Sequence, residues 1–138
     1  MQKLKFTEPI YTYHIDFVGH VNNIIYIQWM ENGRMHFLDA IGFPATQLAA
    51  EEGIVPVLTD TQITYKRPFF LGDEVHVEMW VSKMNNASAL MEFRFFNQKK
   101  ELCATGQQKG LFIDRKNMRP KRISPEHRVA FEKFLIEE

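Results

Sequence analysis

The sequence is short of everything that would tie it to an oxidising compartment, a membrane or a polyanion. Cys103 is the single cysteine, so no internal disulfide can form and a reducing compartment is expected. Lys+Arg and Asp+Glu each number 17, for a formal net charge of zero. That balance removes the global field that draws a chain to nucleic acid or an anionic bilayer. Nowhere do about eighteen apolar residues run together, and Met1 to Pro9 has no apolar segment of the kind a secretory leader carries. A soluble, cytoplasmic protein is expected. No repeat, linker or low-complexity segment interrupts the chain, so residues 1–138 read as one domain, long enough for a full hydrophobic core. Catalysis or small-ligand binding suits this balance best.

What the chain does have is a stretch, Asp16 to Ile41, around which the rest is arranged. At about 100° per residue, Ile24–Ile41 places Gln28, Asn32, His36 and Asp39 on one narrow stripe, with Ile25 the apolar intruder. The remaining circumference is nearly all apolar, roughly twice the ~100° arc of a surface helix. A mostly enclosed core helix is therefore expected. Glu31 and Arg34 fall inside that apolar arc, three positions apart and so neighbours on the helix surface. Gly33 lies there too, and close approach of a strand or ligand should offset its helix penalty of up to about 1 kcal/mol. Asn22 or Asn23 supplies the N-cap. Gly42-Phe43-Pro44 ends the helix before a short helical piece over Ala45–Glu52.

Before this stretch, the aromatic and β-branched residues of Lys5–Ile15 predict a strand delivering Asp16 to its end, followed by a turn at Phe17–His20. After it the period changes to two. Val55, Val57, Thr59, Thr61, Ile63 and Tyr65 predict a long strand with one mostly apolar face. Strands over Glu74–Met84, Ser88–Phe96 and Glu101–Asp114 follow, joined by turns at Arg67–Asp73, Asn85-Asn86 and Asn97–Lys100. Successive hairpins make an antiparallel sheet. Ser124-Pro125-Glu126 opens a short C-terminal helix. One sheet curled around one long apolar helix is the economical packing, an α+β fold.

Asp16-x-x-Gly19-His20-Val21-Asn22-Asn23-x-x-Tyr26, followed by Glu31 and Arg34, resembles the signature of the 4-hydroxybenzoyl-CoA thioesterase family of the hot-dog fold. Tyr65-Lys66-Arg67-Pro68-x-x-x-Gly72-Asp73-x-Val75 resembles that family's strand-turn-strand, and the resemblance runs on to Phe112-Ile113-Asp114. It implies an antiparallel five-stranded sheet wrapped around one long central helix, with a short C-terminal helix. It also implies hydrolysis of an acyl-CoA thioester to free coenzyme A and a carboxylic acid, without metal or cofactor. An acyl-carrier-protein thioesterase and a non-catalytic acyl-thioester binder are the alternatives, since fold alone does not fix activity. His14 departs from the pattern, because many relatives carry a carboxylate there.

Thioester hydrolysis needs a base or nucleophile at the carbonyl carbon and donors aimed at the oxygen as it gains charge. By resemblance Asp16 is that acid, acting as nucleophile or as general base for water. Without the motif, an aspartate before a helix reads as a turn-former. Gly19, His20, Val21, Asn22 and Asn23 are implied to bind substrate, with the backbone N–H groups around His20–Asn23, at the helix start, polarising the carbonyl. Tyr26, Glu31 and Arg34 are supporting residues, and a paired, structural Glu31 is weighed above a catalytic one. Lys66 and Arg67 are matched to coenzyme A phosphates. The basic run Arg115-Lys116-x-x-Arg119-x-Lys121-Arg122 is read as a solvated loop, or as a phosphate contact for a neighbouring chain. Similar proteins form homodimers or homotetramers, with sites at the subunit boundary. No nucleic acid or membrane partner is implied, and none of the five histidines has metal-ligand spacing.

Overall fold

In the computed structural model, which describes residues 2–137, the elements run β1 (Leu4–Glu8), α1 (Asn23–Ala40), α2 (Ala45–Gln47, continued by a π-turn over Leu48–Glu52), β2 (Ile54–Tyr65), β3 (Val75–Met84), β4 (Ser88–Phe96), β5 (Leu102–Asp114) and α3 (Pro125–Glu132). The five strands form one sheet in the order β1-β3-β4-β5-β2, every pairing antiparallel. Of the three successive hairpins read from the sequence, β3-β4 and β4-β5 are present, but β2 does not pair with β3: the 66–74 connection carries the chain across to the other side of the sheet, leaving β2 as the edge strand on β5. Ala89, Met91, Phe93 and Phe95 of β4 and Val75, Val77, Met79 and Val81 of β3 are buried on the face that receives α1.

The first strand is shorter than expected. Pro9 has no N–H for the ladder, so β1 stops at Glu8 and the chain turns through a 3-10 helix at Thr12–His14. Asp16 therefore leaves a turn, not a strand, and an isolated bridge between Ile15 and Val21 closes the base of its loop.

The helix itself is less enclosed than its composition suggests. Ile25, Tyr26, Trp29, Met30, Gly33 and Phe37 face the sheet. Ile24, Ile27 and Met35 remain 62%, 45% and 41% exposed, because one sheet covers only one side of a helix. Gln28, Asn32, His36 and Asp39 are exposed as expected, whereas Ile25 turns inward at 8%.

Gly33 is explained by contact. A Cβ there would stand 3.0 Å from Phe6 Cζ and 3.0 Å from Phe93 Cε1. Phe93 is core, 1% exposed, and has little room to yield. Gly33→Ala should therefore destabilise the protein by about 1–2 kcal/mol through overpacking, despite the helix preference for alanine. Urea denaturation checks this, and a stabilised variant would mean that the rings move aside freely. Gly106 of β5 makes similar room for Met30, whose Cε would lie 2.8 Å from an added Cβ.

β2 is an edge strand with a bulge between Leu58 and Asp60. Its expected apolar face is accordingly broken: Val55, Val57 and Ile63 are half-buried, while Thr59, Thr61 and Tyr65 are exposed. Among the described residues no helix is long and apolar enough to cross a membrane.

Candidate active site

The Asp16 loop is built by its own backbone. Asp16 N–H donates to His20 O at 2.9 Å and Gly19 N–H to Asp16 O at 3.0 Å. Asp16 Oδ1 accepts from Val18 N–H at 3.0 Å and His20 N–H at 3.3 Å, an Asx turn closed by the side chain. Gly19 takes φ +92°, a conformation that excludes most other residues. The other carboxylate oxygen accepts no hydrogen bond among the described residues.

Of the two asparagines, Asn22 is the N-cap, its Oδ1 accepting from Ile24 N–H at 3.0 Å. Val21 N–H donates to Phe69 O at 2.9 Å and Asn22 N–H to His14 O at 2.8 Å. Three of the four expected carbonyl-polarising donors, those of His20, Val21 and Asn22, are thus already engaged. The N–H of Asn23, first residue of α1, has no acceptor among the described residues, and it sits at the positive end of the helix. His14 is buried and structural, its Nδ1 accepting from Tyr11 N–H at 3.0 Å.

The 66–74 loop packs onto this entrance. The bond to Phe69 O joins the two loops, and the His20 ring meets Phe70 edge-on at 5.1 Å. Tyr26, 2% exposed, packs against Trp29, Tyr65, Phe69 and Phe95. Burial first, then the neighbouring Cys103 and Tyr65, pushes its phenol well above the usual range, so it serves as a neutral wall. Tyr65 Oη donates to Asn23 O at 3.3 Å. Lys66 and Arg67 lie at this same end, both N–H groups on Cys103 O. Arg67 already pairs with Glu101 at 3.3 Å. The Asn97 hydrogen bond first, and Arg67 second, hold the Glu101 carboxyl below its ordinary value. Lys66 is exposed.

The basic run lies elsewhere. Tyr65 pairs with Ala104 and Ile54 with Asp114, so residues 115–122 follow the end of β5 farthest from Tyr65. The 18 residues of α1, rising about 1.5 Å each, separate the two ends. These cations can serve the Asp16 site only from another chain.

Glu31 and Arg34 form the ion pair expected of them, but at the surface, where the Glu31 side chain is 57% exposed. Arg34 is more enclosed, which lowers its pKa by burial, and its Nη1 donates to Gln108 Oε1 at 2.6 Å. Gln108 is fully buried and donates onward to Thr61 Oγ1 at 3.2 Å. No sequence signal marks it, since its partners lie 74 and 47 positions away. His127 is a second surprise: buried at 1%, edge-on to Phe43 and Phe112, its Nε2 3.1 Å from Glu52. It fastens α3 to the end of α2.

The pair Glu31 and Arg34 stands at one side of a cavity of about 380 Å³ between α1, α2 and the strands β2, β4 and β5. Its wall is apolar, with Met35, Leu38, Val57, Met91, Leu111 and Phe131 prominent. Asp16 lines no part of it.

A twisted antiparallel sheet across one long capped helix, entered through an Asx-turn loop, defines a hot-dog domain of the α+β class. A family model described as the Thioesterase-like superfamily matches residues 11–131, and the chain belongs to that family. It is a thioester hydrolase. It is similar to the putative acyl-CoA thioesterase YneP of Bacillus subtilis (strain 168), 25% identical over 86% of this chain and 87% of the relative. It is also similar to the chloroplastic acyl-acyl carrier protein thioesterase ATL3 of Arabidopsis thaliana, 29% identical over 89% of this chain and 64% of the relative. Among solved structures, a DHNA-CoA thioesterase from Staphylococcus aureus superposes with a TM-score of 0.89 at 25% identity, covering 96% of this chain and 91% of that one.

Proposed function

We propose that this protein is an acyl-CoA thioesterase of the kind that the Asp16 motif resembles, with Asp16 as its catalytic acid. One observation carries the reading: Asp16 has one oxygen pinned by two backbone N–H groups and one free, in the loop that leads directly to the unpaired Asn23 N–H. As general base, the free oxygen takes a proton from water as the water oxygen adds to the carbonyl carbon. Negative charge gathers on the carbonyl oxygen facing the Asn23 N–H and the helix end. Collapse then breaks the C–S bond, and the proton held by Asp16 passes to the departing thiolate, releasing coenzyme A and the acid. As nucleophile, the same oxygen adds to the carbonyl carbon and the C–S bond breaks, expelling coenzyme A as its thiolate and leaving a mixed anhydride that water opens to the acid and the Asp16 carboxylate. Lys66, with no ion-pair partner among the described residues, is the cation for the coenzyme A phosphates; Arg67 would have to leave Glu101. Purified protein with an acyl-CoA panel and thiol detection tests this, and absence of release from every acyl-CoA, with release from acyl-carrier-protein esters, would transfer the activity to the carrier-bound substrate.

A second reading has its own support, because among the described residues Glu31 is the one carboxylate lining the apolar cavity. The exposed pair with Arg34 contributes roughly 0.2–1 kcal/mol, so Glu31→Gln should leave melting almost unchanged. Under the Asp16 reading kcat also stays within about threefold. A fall of about 10² or more without a change in melting would make Glu31 the acid.

The active assembly is a homodimer or a pair of dimers. Phe17 is fully exposed, Ile24 and Ile27 are uncovered, and β2 offers an unpaired edge of 12 residues. A second copy lying along α1 covers them. Ile27→Glu should shift the mass measured by light scattering toward the monomer, and an unchanged mass would count against this face.

A further inference from the structure

The cavity beneath α1 has a legible chemistry. Because Glu31 lines it and Asp16 does not, we propose, resting on the thioesterase reading with Glu31 as the acid, that it takes a straight aliphatic acyl chain, on the order of a dozen carbons, in preference to a hydroxylated aromatic acyl group. Among its lining side chains only Glu31, Arg34, Thr46 and Ser88 carry polar atoms. Glu31 and Arg34 are paired at the exposed side, Thr46 is exposed, and Ser88 Oγ already accepts from Asn85 Nδ2 at 3.1 Å. A ring hydroxyl pushed inside would lose its water and find at most one buried partner, the Ser88 hydroxyl.

Size points the same way. An apolar cavity of about 150 Å³ is enough for benzene, so about 380 Å³ exceeds a single ring more than twofold and matches a flexible chain. The inner end is closed. Phe131 meets Phe37 at 5.2 Å and 73° and Phe112 at 5.8 Å and 89°, and all three rings are at most 6% exposed. The chain enters beside Glu31 and Arg34 and its methyl end rests on these rings, which makes Phe131 and Val57 specificity-determining residues.

The test measures thiol release from butanoyl-, octanoyl-, dodecanoyl- and hexadecanoyl-CoA and from benzoyl- and 4-hydroxybenzoyl-CoA. In parallel, calorimetry follows binding of the non-hydrolysable dodecyl-CoA and butyl-CoA thioethers. The expected result is a kcat/KM rising about fourfold per added methylene up to the closed end, with 4-hydroxybenzoyl-CoA roughly tenfold below benzoyl-CoA. Val57→Phe, on the edge strand, should reduce the dodecanoyl-to-butanoyl ratio at least tenfold. Phe131→Ala should move the optimum to longer chains, and if it fails to fold Val57→Phe decides alone. Thiol release without length dependence, or with 4-hydroxybenzoyl-CoA preferred, overturns the inference and leaves the hydrolase standing. Length-dependent thioether binding without any thiol release does the reverse, and neither binding nor release overturns both.

Discussion

Asp16→Asn should lower kcat by about 10²–10⁴ while leaving the melting temperature nearly unchanged. The separation of the two effects follows from geometry. Val18 and His20 donate to a carboxylate oxygen, and an asparagine carbonyl oxygen in the same place accepts the same two bonds, so the Asx turn survives. Only the charge and basicity of the free oxygen are lost, and a neutral amide neither takes a proton from water nor attacks a thioester. The paired measurement is thermal unfolding with thiol release on the best acyl-CoA. Turnover retained in a folded variant would remove Asp16 from the mechanism, whereas joint loss of fold and activity would make it chiefly a loop former.

Trp29→Ala should cost about 3–5 kcal/mol, a large share of the roughly 5–15 kcal/mol that holds a domain of this size together. Trp29 is 2% exposed, perpendicular to Phe69 at 5.7 Å and tilted on Phe95 at 6.0 Å. Neither neighbour can collapse into the space left behind without moving the sheet or the 66–74 loop. Because Phe69 O also holds Val21 N–H, loosening the ring should loosen the Asp16 loop. A lower urea midpoint with an unaltered slope, together with a raised KM, is the expected pattern. A variant within about 1 kcal/mol of the parent would mean that the cluster repacks.

The β3-β4 and β4-β5 hairpins, the long helix and its asparagine cap were legible because each depends on neighbours in the chain: period-two alternation, turn residues, an Asx side chain two positions before the amide it receives; that β2 crosses to pair with β5 is set by distant partners. What escaped depends on distant partners. The apolar circumference of α1 says that Ile24, Ile27 and Met35 avoid water, but not that a single sheet leaves them outside. Glu31 seemed buried because it shares the apolar arc, whereas that arc includes the uncovered side. His127 and Glu52 meet across 75 positions, and Gln108 looks like any strand glutamine until Arg34 reaches it. Pro9 stops β1 at Glu8, although the aromatic run after it favours a strand. The motif points to Asp16, yet which amides from His20 to Asn23 remain free is a matter of loop geometry, and among the described residues only that of Asn23 does.

Cys103 is fully buried, its Sγ 3.5 Å from Glu101 O, and burial raises its pKa. A sulfhydryl-reactive dye added to the intact molecule should therefore stay colourless until coenzyme A is set free, giving a blank close to zero. Conversely, slow colour development in a substrate-free cuvette, levelling at one equivalent per chain, would clock global opening and give every variant above its own internal viability control.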